Sequence, residues 1–392
     1  MVSSETTRRI SKAGQVLKAY RKSHSITQTQ LAHELGVEPR TLRMYENGER
    51  MLDNILELRR ISDLLSIDPE DFGLSARRSS PIEAQQVRSV IEHVWLLMPQ
   101  ARFLEAQLVI TKLLDNLKEQ PVTGDVSMLS SLAHAHYTAG HIESIINRTY
   151  TVDPSIAHFR EMERIARHLN DTTLLAFALT YQGDQLRRRG DITHSLVCLK
   201  EARVLLSEQE RKNAALVDPQ ANGNTAQLLA RVCLREGDWQ CFEREMATAE
   251  EMASRIASSP TSHSSISSSQ SVHPANPFDL MSVYEEYARA YARRGEQSKS
   301  IEYIERAEQL ADGNIRWGMV LKATRAEAFI YSGDLATGLP LALETTHLAL
   351  IYNHSRLLER LFRIQQYLDK QVDKMRQAQS SLNEALHGVL EV

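Results

Sequence analysis

Several things are missing from this 392-residue chain, and each absence removes a class of function. No apolar run approaches the roughly 18–20 residues that a membrane span needs. The start MVSSETTRRISK has no apolar signal core, so a cytoplasmic protein is expected, with no membrane partner. The three cysteines, Cys198, Cys233 and Cys241, form no C-x-x-C pair. That argues against structural zinc or a redox dithiol, and predicts reduced thiols packed as small apolar groups. The fourteen histidines are scattered, and His134 and His136 stand two apart, a spacing that does not put them on one helical face. No H-E-x-x-H, no G-x-S-x-G and no phosphate-cradling glycine loop occurs. Neither catalysis nor a cofactor or metal is expected.

What is present is a chain of ordinary globular composition, 42% hydrophobic and 24% charged, long enough for two or three domains. Its formal net charge is -4. Residues 1–80 carry 13 Lys+Arg against 11 Asp+Glu, so the positive excess sits at the N-terminus and the remainder is acidic. Only the N-terminal part could be drawn to a polyanion, and the charge placed at the contact decides that, not the whole-chain balance.

In that part the pattern predicts short helices. The first runs from about Gly14 to Arg21. The second starts at an N-cap, Thr27, with Gln30 three residues later as a capping box. Its apolar face is Leu31, Ala32 and Leu35, and Gly36 ends it. A third opens with Pro39 at a first helical position and stops at Asn47-Gly48, with Leu42 and Tyr45 inward and Arg40, Thr41, Arg43 and Met44 outward. A fourth, Ile55 to Leu65, closes the core. Two helices joined by a tight glycine turn form a helix-turn-helix.

The run Gln28-x-x-Leu31-Ala32-x-x-Leu35-Gly36-Val37, followed by Tyr45-Glu46-Asn47-Gly48, resembles the Cro/lambda-repressor (xenobiotic-response-element) family over residues 12–72. The resemblance implies a five-helix-type domain over 1–74 that binds double-stranded DNA. It implies that Gln28 reaches a phosphate or base edge, and that Arg40, Thr41, Arg43 and Met44 face the bases. Arginine would fork toward guanine, and the methyl groups would meet thymine. Asn47 would meet the sugar-phosphate chain. Arg21 and Glu46 match a pair that bridges the first helix to the end of the third, a structural role. Glu38 and Glu49 add acids beside this surface. A helix-turn-helix that only docks proteins is the other reading of the segment.

Beyond a linker at 75–84, strand signal and proline nearly vanish. A glycine-acid punctuation recurs instead: TAGHI at 138–142, RRGDI at 188–192, REGDW at 235–239, RRGEQ at 293–297 and YSGDL at 331–335. Each predicts a left-handed glycine closing one helix, with Asp191, Asp238 or Asp334 capping the next. Seven residues before the glycine stand Ala133, Gly183, Ala230, Ala288 and Ala326; twelve after it stand Ala202, Ala249, Ala307 and Thr345. Such self-similarity predicts an all-α solenoid of helical hairpins over 85–392. It is interrupted at 258–277 by a segment in which nine of 20 residues are serine, expected to be disordered. After Leu350 the amphipathic pattern predicts a terminal cap or a dimerisation helix.

These matches resemble tetratricopeptide repeats, which stack as a right-handed solenoid. Projecting the offsets puts His134, Tyr137, Asp184, Arg187, Arg188, Asn224, Gln227, Arg231, Glu285, Arg289 and Arg293 on its inner wall. Tyr137, Asp184, Arg187, Asn224, Gln227, Arg231, Glu285 and Arg289 are the candidate ligand contacts, because amides grip a peptide backbone and guanidiniums take carboxylates. A helix-turn-helix followed by such repeats is similar to the peptide-pheromone-sensing regulators of Gram-positive bacteria and their phages. That implies a homodimeric transcription regulator switched by a short peptide or a protein partner. The alternative is an adaptor in which both domains grip proteins.

Overall fold

The computed structural model describes residues 3–52, 54–74, 82–118, 125–147, 154–213, 217–258, 278–311 and 313–390, and every regular element among them is helical. The segment expected to be disordered lies, but for Ser258, outside the described residues, as does most of the expected linker. The chain divides into two compact units at residue 81.

The first unit holds α1 (Ser3–Ser23), α2 (Gln28–Leu35), α3 (Pro39–Asn47) and α4 (Ile55–Leu65), followed by a 3-10 turn, Pro69–Phe72, where the expectation was a fifth helix. The expected start of α1 at Gly14 is corrected: the helix begins eleven residues earlier, and Gly14 lies in its middle. The glycine is there for contact. A β-carbon at Gly14 would sit 1.9 Å from the Tyr45 carbonyl oxygen, so only glycine lets α1 lie against the backbone of α3. Ala13, Leu17, Leu31, Ala32, Leu35, Leu42 and Phe72 fill a separate small core.

The second unit is a row of six hairpins and a closing helix. In order these are α5 (Ala84–Leu97) with α6 (Phe103–Lys118), α7 (Val126–Ile146) with α8 (Pro154–Leu169), and α9 (Thr172–Arg188) with α10 (Ile192–Lys212). Then come α11 (Pro219–Glu236) with α12 (Trp239–Ser258), α13 (Leu280–Arg293) with α14 (Gln297–Glu308), α15 (Ile315–Ser332) with α16 (Leu335–Ile351), and finally α17 (Ser355–Leu390). Consecutive helices pack on one another throughout, the arrangement of a helical repeat array.

Four of the five glycine turns form as expected, with Gly190, Gly237, Gly295 and Gly333 all at positive φ. The carboxylates of Asp191, Asp238 and Asp334 accept from the backbone amides of His194, Cys241 and Thr337 and so start α10, α12 and α16. The expected turn at Gly140 is corrected: it lies inside the continuous helix α7, and a β-carbon there would meet the Phe159 ring at 2.8 Å. Sequence alone cannot separate a glycine needed for its left-handed backbone from one needed for close packing. The small-residue positions are as tight as expected, with Ala133, Ala230, Ala288, Ala326, Ala202, Ala249, Ala307 and Thr345 all fully buried. Five residues past the turn, a serine in two hairpins ties the pair together. Ser195 donates to the Gly183 carbonyl and Ser300 to the Ala288 carbonyl.

One expectation about the thiols is also corrected. Cys233 and Cys241 are joined in a disulfide, and Cys198 remains a free thiol. The two half-cystines face each other across the Gly237 turn with α-carbons 5.7 Å apart, within bridging reach. Cysteine parity and C-x-x-C spacing do not register a pair that only a helical hairpin brings together. Among the described residues no helix is long and apolar enough to cross a membrane.

Candidate DNA-reading helix and arginine-lined cavity

The turn between α2 and α3 is built from local chemistry. The Thr27 hydroxyl accepts from the Gln30 amide and the Gln30 side chain accepts from the Thr27 amide, which is the reciprocal capping box. Gly36 closes α2 at φ 72°, and Pro39 opens α3 without leaving an amide unpaired. Leu42 is fully buried and Glu46 nearly so, which sets the rotation of α3 about its axis. Arg40 and Arg43 then stand exposed, Thr41 and Met44 half-exposed, and Asn47 at the exposed end, where its amide donates to Glu49 at 3.0 Å. Neither Arg40 nor Arg43 forms an ion pair among the described residues.

Glu46 is the anchor of this surface. Arg21 grips it with two bonds, Nε to Oε1 at 2.7 Å and Nη2 to Oε2 at 2.9 Å, and Gln28 donates to Oε2 at 2.8 Å. Burial opposes ionisation of the carboxyl, but the donors from Arg21 and Gln28 outweigh it and hold its pKa below the usual range. One carboxylate thereby joins α1, α2 and α3. It also fixes Gln28, which the family resemblance puts against the nucleic acid, at the entry of α2. Arg60 of α4 donates to the Leu35 carbonyl at 2.8 Å and secures the end of α2.

In the repeat unit the first helices of successive hairpins and the start of α17 line a partly open cavity of about 130 Å³. Of the eight side chains predicted to meet a ligand, Asp184, Asn224, Gln227, Arg231, Glu285 and Arg289 line it. Tyr137 and Arg187 do not. Tyr137 is fully buried in the core, where its hydroxyl donates to that of Tyr181 at 3.1 Å, and Tyr181 in turn donates to Asn224 Oδ1 at 3.3 Å. It therefore supports a lining residue from behind. Arg187 is held by Asp184 at 2.6 Å. Of the other inner-wall residues, Arg188 reaches Glu359 of α17 at 2.9 Å. His134 and Arg293 stay outside the lining, the imidazole of His134 pushed by burial to about 3.

Sequence reasoning missed the contribution of α15 and α17. Arg316 and Trp317 of α15, His354 just ahead of α17, and Arg356, Arg360 and Arg363 of α17 complete the cavity. The three α17 arginines are four and three residues apart, the spacing of one helical face, and that was the available signal. Arg360 is 5% exposed and spans two carboxylates: Glu327 at 2.7 and 2.8 Å, and Glu285 at 2.7 Å. Arg231 pairs with Glu286 at 2.6 Å, and Glu286 also takes Arg289. These guanidiniums hold the Glu286 carboxyl down to about 2 against the cost of its burial.

Residues 17–72 match the helix-turn-helix family, a match confined to the first unit. It supports an N-terminal domain of the xenobiotic-response-element type and a DNA-binding transcription regulator. No curated protein matches the chain.

Proposed function

We propose that the chain is a sequence-specific DNA-binding transcription regulator that acts as a homodimer and receives a ligand in its repeat unit. The observation that carries the reading is the outward face of α3. It combines exposed Arg40 and Arg43, in no ion pair among the described residues, with Thr41 and Met44, on a helix whose rotation is locked by Leu42 and Glu46. Such a helix fits the major groove, where Arg43 would take guanine O6 and N7 while Gln28 and Asn47 set the register on the backbone. A head of this size reads few base pairs, so useful affinity calls for two heads on two half-sites.

Support for a second copy comes from α17. Leu368, Val372, Met375, Gln379, Leu382 and Leu386 alternate by four and three along α17, a coiled-coil seam. Val372, Met375, Leu382 and Leu386 are 44, 69, 60 and 54% exposed. A β-branched residue at one seam position with leucine at the other favours two strands, and a single polar Gln379 fixes their register. The ligand reading draws on the cavity that six of the expected contact residues line.

The test is selection of bound sequences from random duplexes by the full chain, followed by gel shift. A defined two-fold site is expected, and Arg43→Ala should relax preference at one position by about 1–3 kcal/mol. Absence of any base preference would reject the regulator and leave the protein-gripping adaptor. Sedimentation should give a dimer that Met375→Lys with Leu382→Lys converts to monomer.

A further inference from the structure

The donors of the repeat-unit cavity are more numerous than its acceptors can satisfy. Among the described residues, five buried side-chain nitrogens without a hydrogen-bond partner belong to residues lining this one cavity. They are His141 Nε2, Asn224 Nδ2, Arg289 Nε, Arg316 Nε and His354 Nε2. Four are donors, and His141 Nε2 is a donor in one of its two neutral tautomers. For His354 the tautomer follows from its neighbour: the Leu357 amide donates to Nδ1 at 3.2 Å, so in the neutral ring Nε2 carries the hydrogen. Burial keeps that ring neutral by pushing its pKa to about 3. Asn224 likewise commits its oxygen to Tyr181 and keeps its amide hydrogens for the cavity. His141, Asn224 and His354 are all at least nine-tenths buried. Buried donors left unmatched cost free energy, and a native protein tolerates a cluster of them where something else supplies the acceptors.

The charges point the same way. Six arginines line the cavity against the carboxylates of Asp184 and Glu285, with Glu286 and Glu327 paired to them from behind. Arg360 is fully engaged and Arg231 and Arg289 share Glu286. Arg356 reaches Asp184 at 3.5 Å, a carboxylate already taken by Arg187. Arg316 makes no ion pair among the described residues. Guanidiniums outnumber carboxylates around the cavity even when Asp279, whose charge acts on Arg316, is counted. Burial, with further guanidiniums nearby, holds Arg356 down to about 9, as expected where cations crowd without enough counter-charge. A volume of about 130 Å³, partly open to solvent, accommodates a small metabolite.

We propose that this cavity binds a small dianion carrying carboxylate or phosphate groups, held between Arg316, Arg289 and Asn224 on one side and His354 and Arg356 on the other. The proposal rests on reading the repeat unit as ligand-receiving and names the chemical class of that ligand. Because Arg356 lies in the first turn of α17 and His354 just ahead of it, occupancy fastens that helix to the hairpins.

The experiment is thermal melting and calorimetric titration of the full chain with inorganic phosphate, glycerol 3-phosphate, succinate and, as an uncharged control, glycerol. At least one anion should bind at a single site and raise the melting temperature. Glycerol should do neither, and the contrast between glycerol 3-phosphate and succinate separates phosphate from carboxylate recognition. Arg316→Gln removes a half-buried cation with no ion pair among the described residues, so the fold should persist while affinity falls about thirtyfold or more. Asn224→Asp still accepts from Tyr181 but sets a negative charge in the cavity and should abolish binding. Binding by none of the three anions, undiminished binding by Arg316→Gln, or binding of an extended peptide alone would overturn the proposal. Selection of a DNA site by the same protein is read separately, so failure of the regulator reading and failure of the anion site produce different results.

Discussion

In the first unit Arg40 and Arg43 stand in solvent with no ion pair among the described residues, whereas in the second Arg360 lies buried between Glu285 and Glu327. Both units carry arginine at helical spacing, yet burial divides the roles. An exposed guanidinium costs little to keep unpaired and remains available to an outside anion. A buried one must find carboxylates within the fold, and where the count falls short the structure is left with a demand that a ligand can meet.

The strongest way to break this contrast is Arg360→Ala. It leaves two buried carboxylates without their cation and should lower the stability of the repeat unit by about 3–5 kcal/mol, read from its melting transition. A loss under about 1 kcal/mol would mean that the network is solvated and that the division between the units fails.

Acid should sharpen the comparison next. Burial holds His354 at about 3 and His141 well below its ordinary value of 6.5. Below 6.5 the unfolded chain takes up protons that the folded rings refuse. Stability present above that value is therefore lost as the pH falls toward the folded pKa, by about 1.4 kcal/mol per pH unit for each ring. Urea melts of the repeat unit between about pH 7 and pH 5 measure the slope. A flat profile would show both rings protonating in place.

Arg21→Ala should come third. It removes the two-bond grip on Glu46 and should cost the first unit about 1.5–3 kcal/mol. Gln28 also hangs on Glu46, so DNA affinity should drop as well. The smallest effect on folding is expected from Arg43→Ala, within about 0.5 kcal/mol of the unaltered protein, even though it should alter base preference most directly. A large loss of stability there would show that Arg43 serves the fold and not a duplex.

The first unit was nearly all legible in sequence because its chemistry is local. Thr27 caps a helix whose Gln30 is three residues away, Gly36 adopts a backbone few other residues accept, and Leu42 marks the buried side of α3. The hairpins of the second unit were legible for the same reason at Gly190, Gly237, Gly295 and Gly333. Gly140 misled because a glycine chosen to admit the Phe159 ring looks, in one dimension, like a glycine chosen to turn. The cavity was half legible. Periodicity brought out Asp184, Asn224 and Arg289, but nothing local tells that Ser355 donates to the Ile146 carbonyl or that Arg188 meets Glu359. Those bonds bring α17 onto hairpins formed some two hundred residues earlier in the chain, and long-range closure of this kind leaves no periodic trace.

The length of α17 has a mechanical corollary. Its opening residues are clamped among the hairpins, while the stretch past Leu368 runs on for about 33 Å at 1.5 Å per residue. A stiff rod gripped at one end multiplies small rotations. A tilt of roughly 10° at the clamp would carry the free tip about 6 Å, roughly one helical pitch and far beyond the side-chain movements inside the chamber.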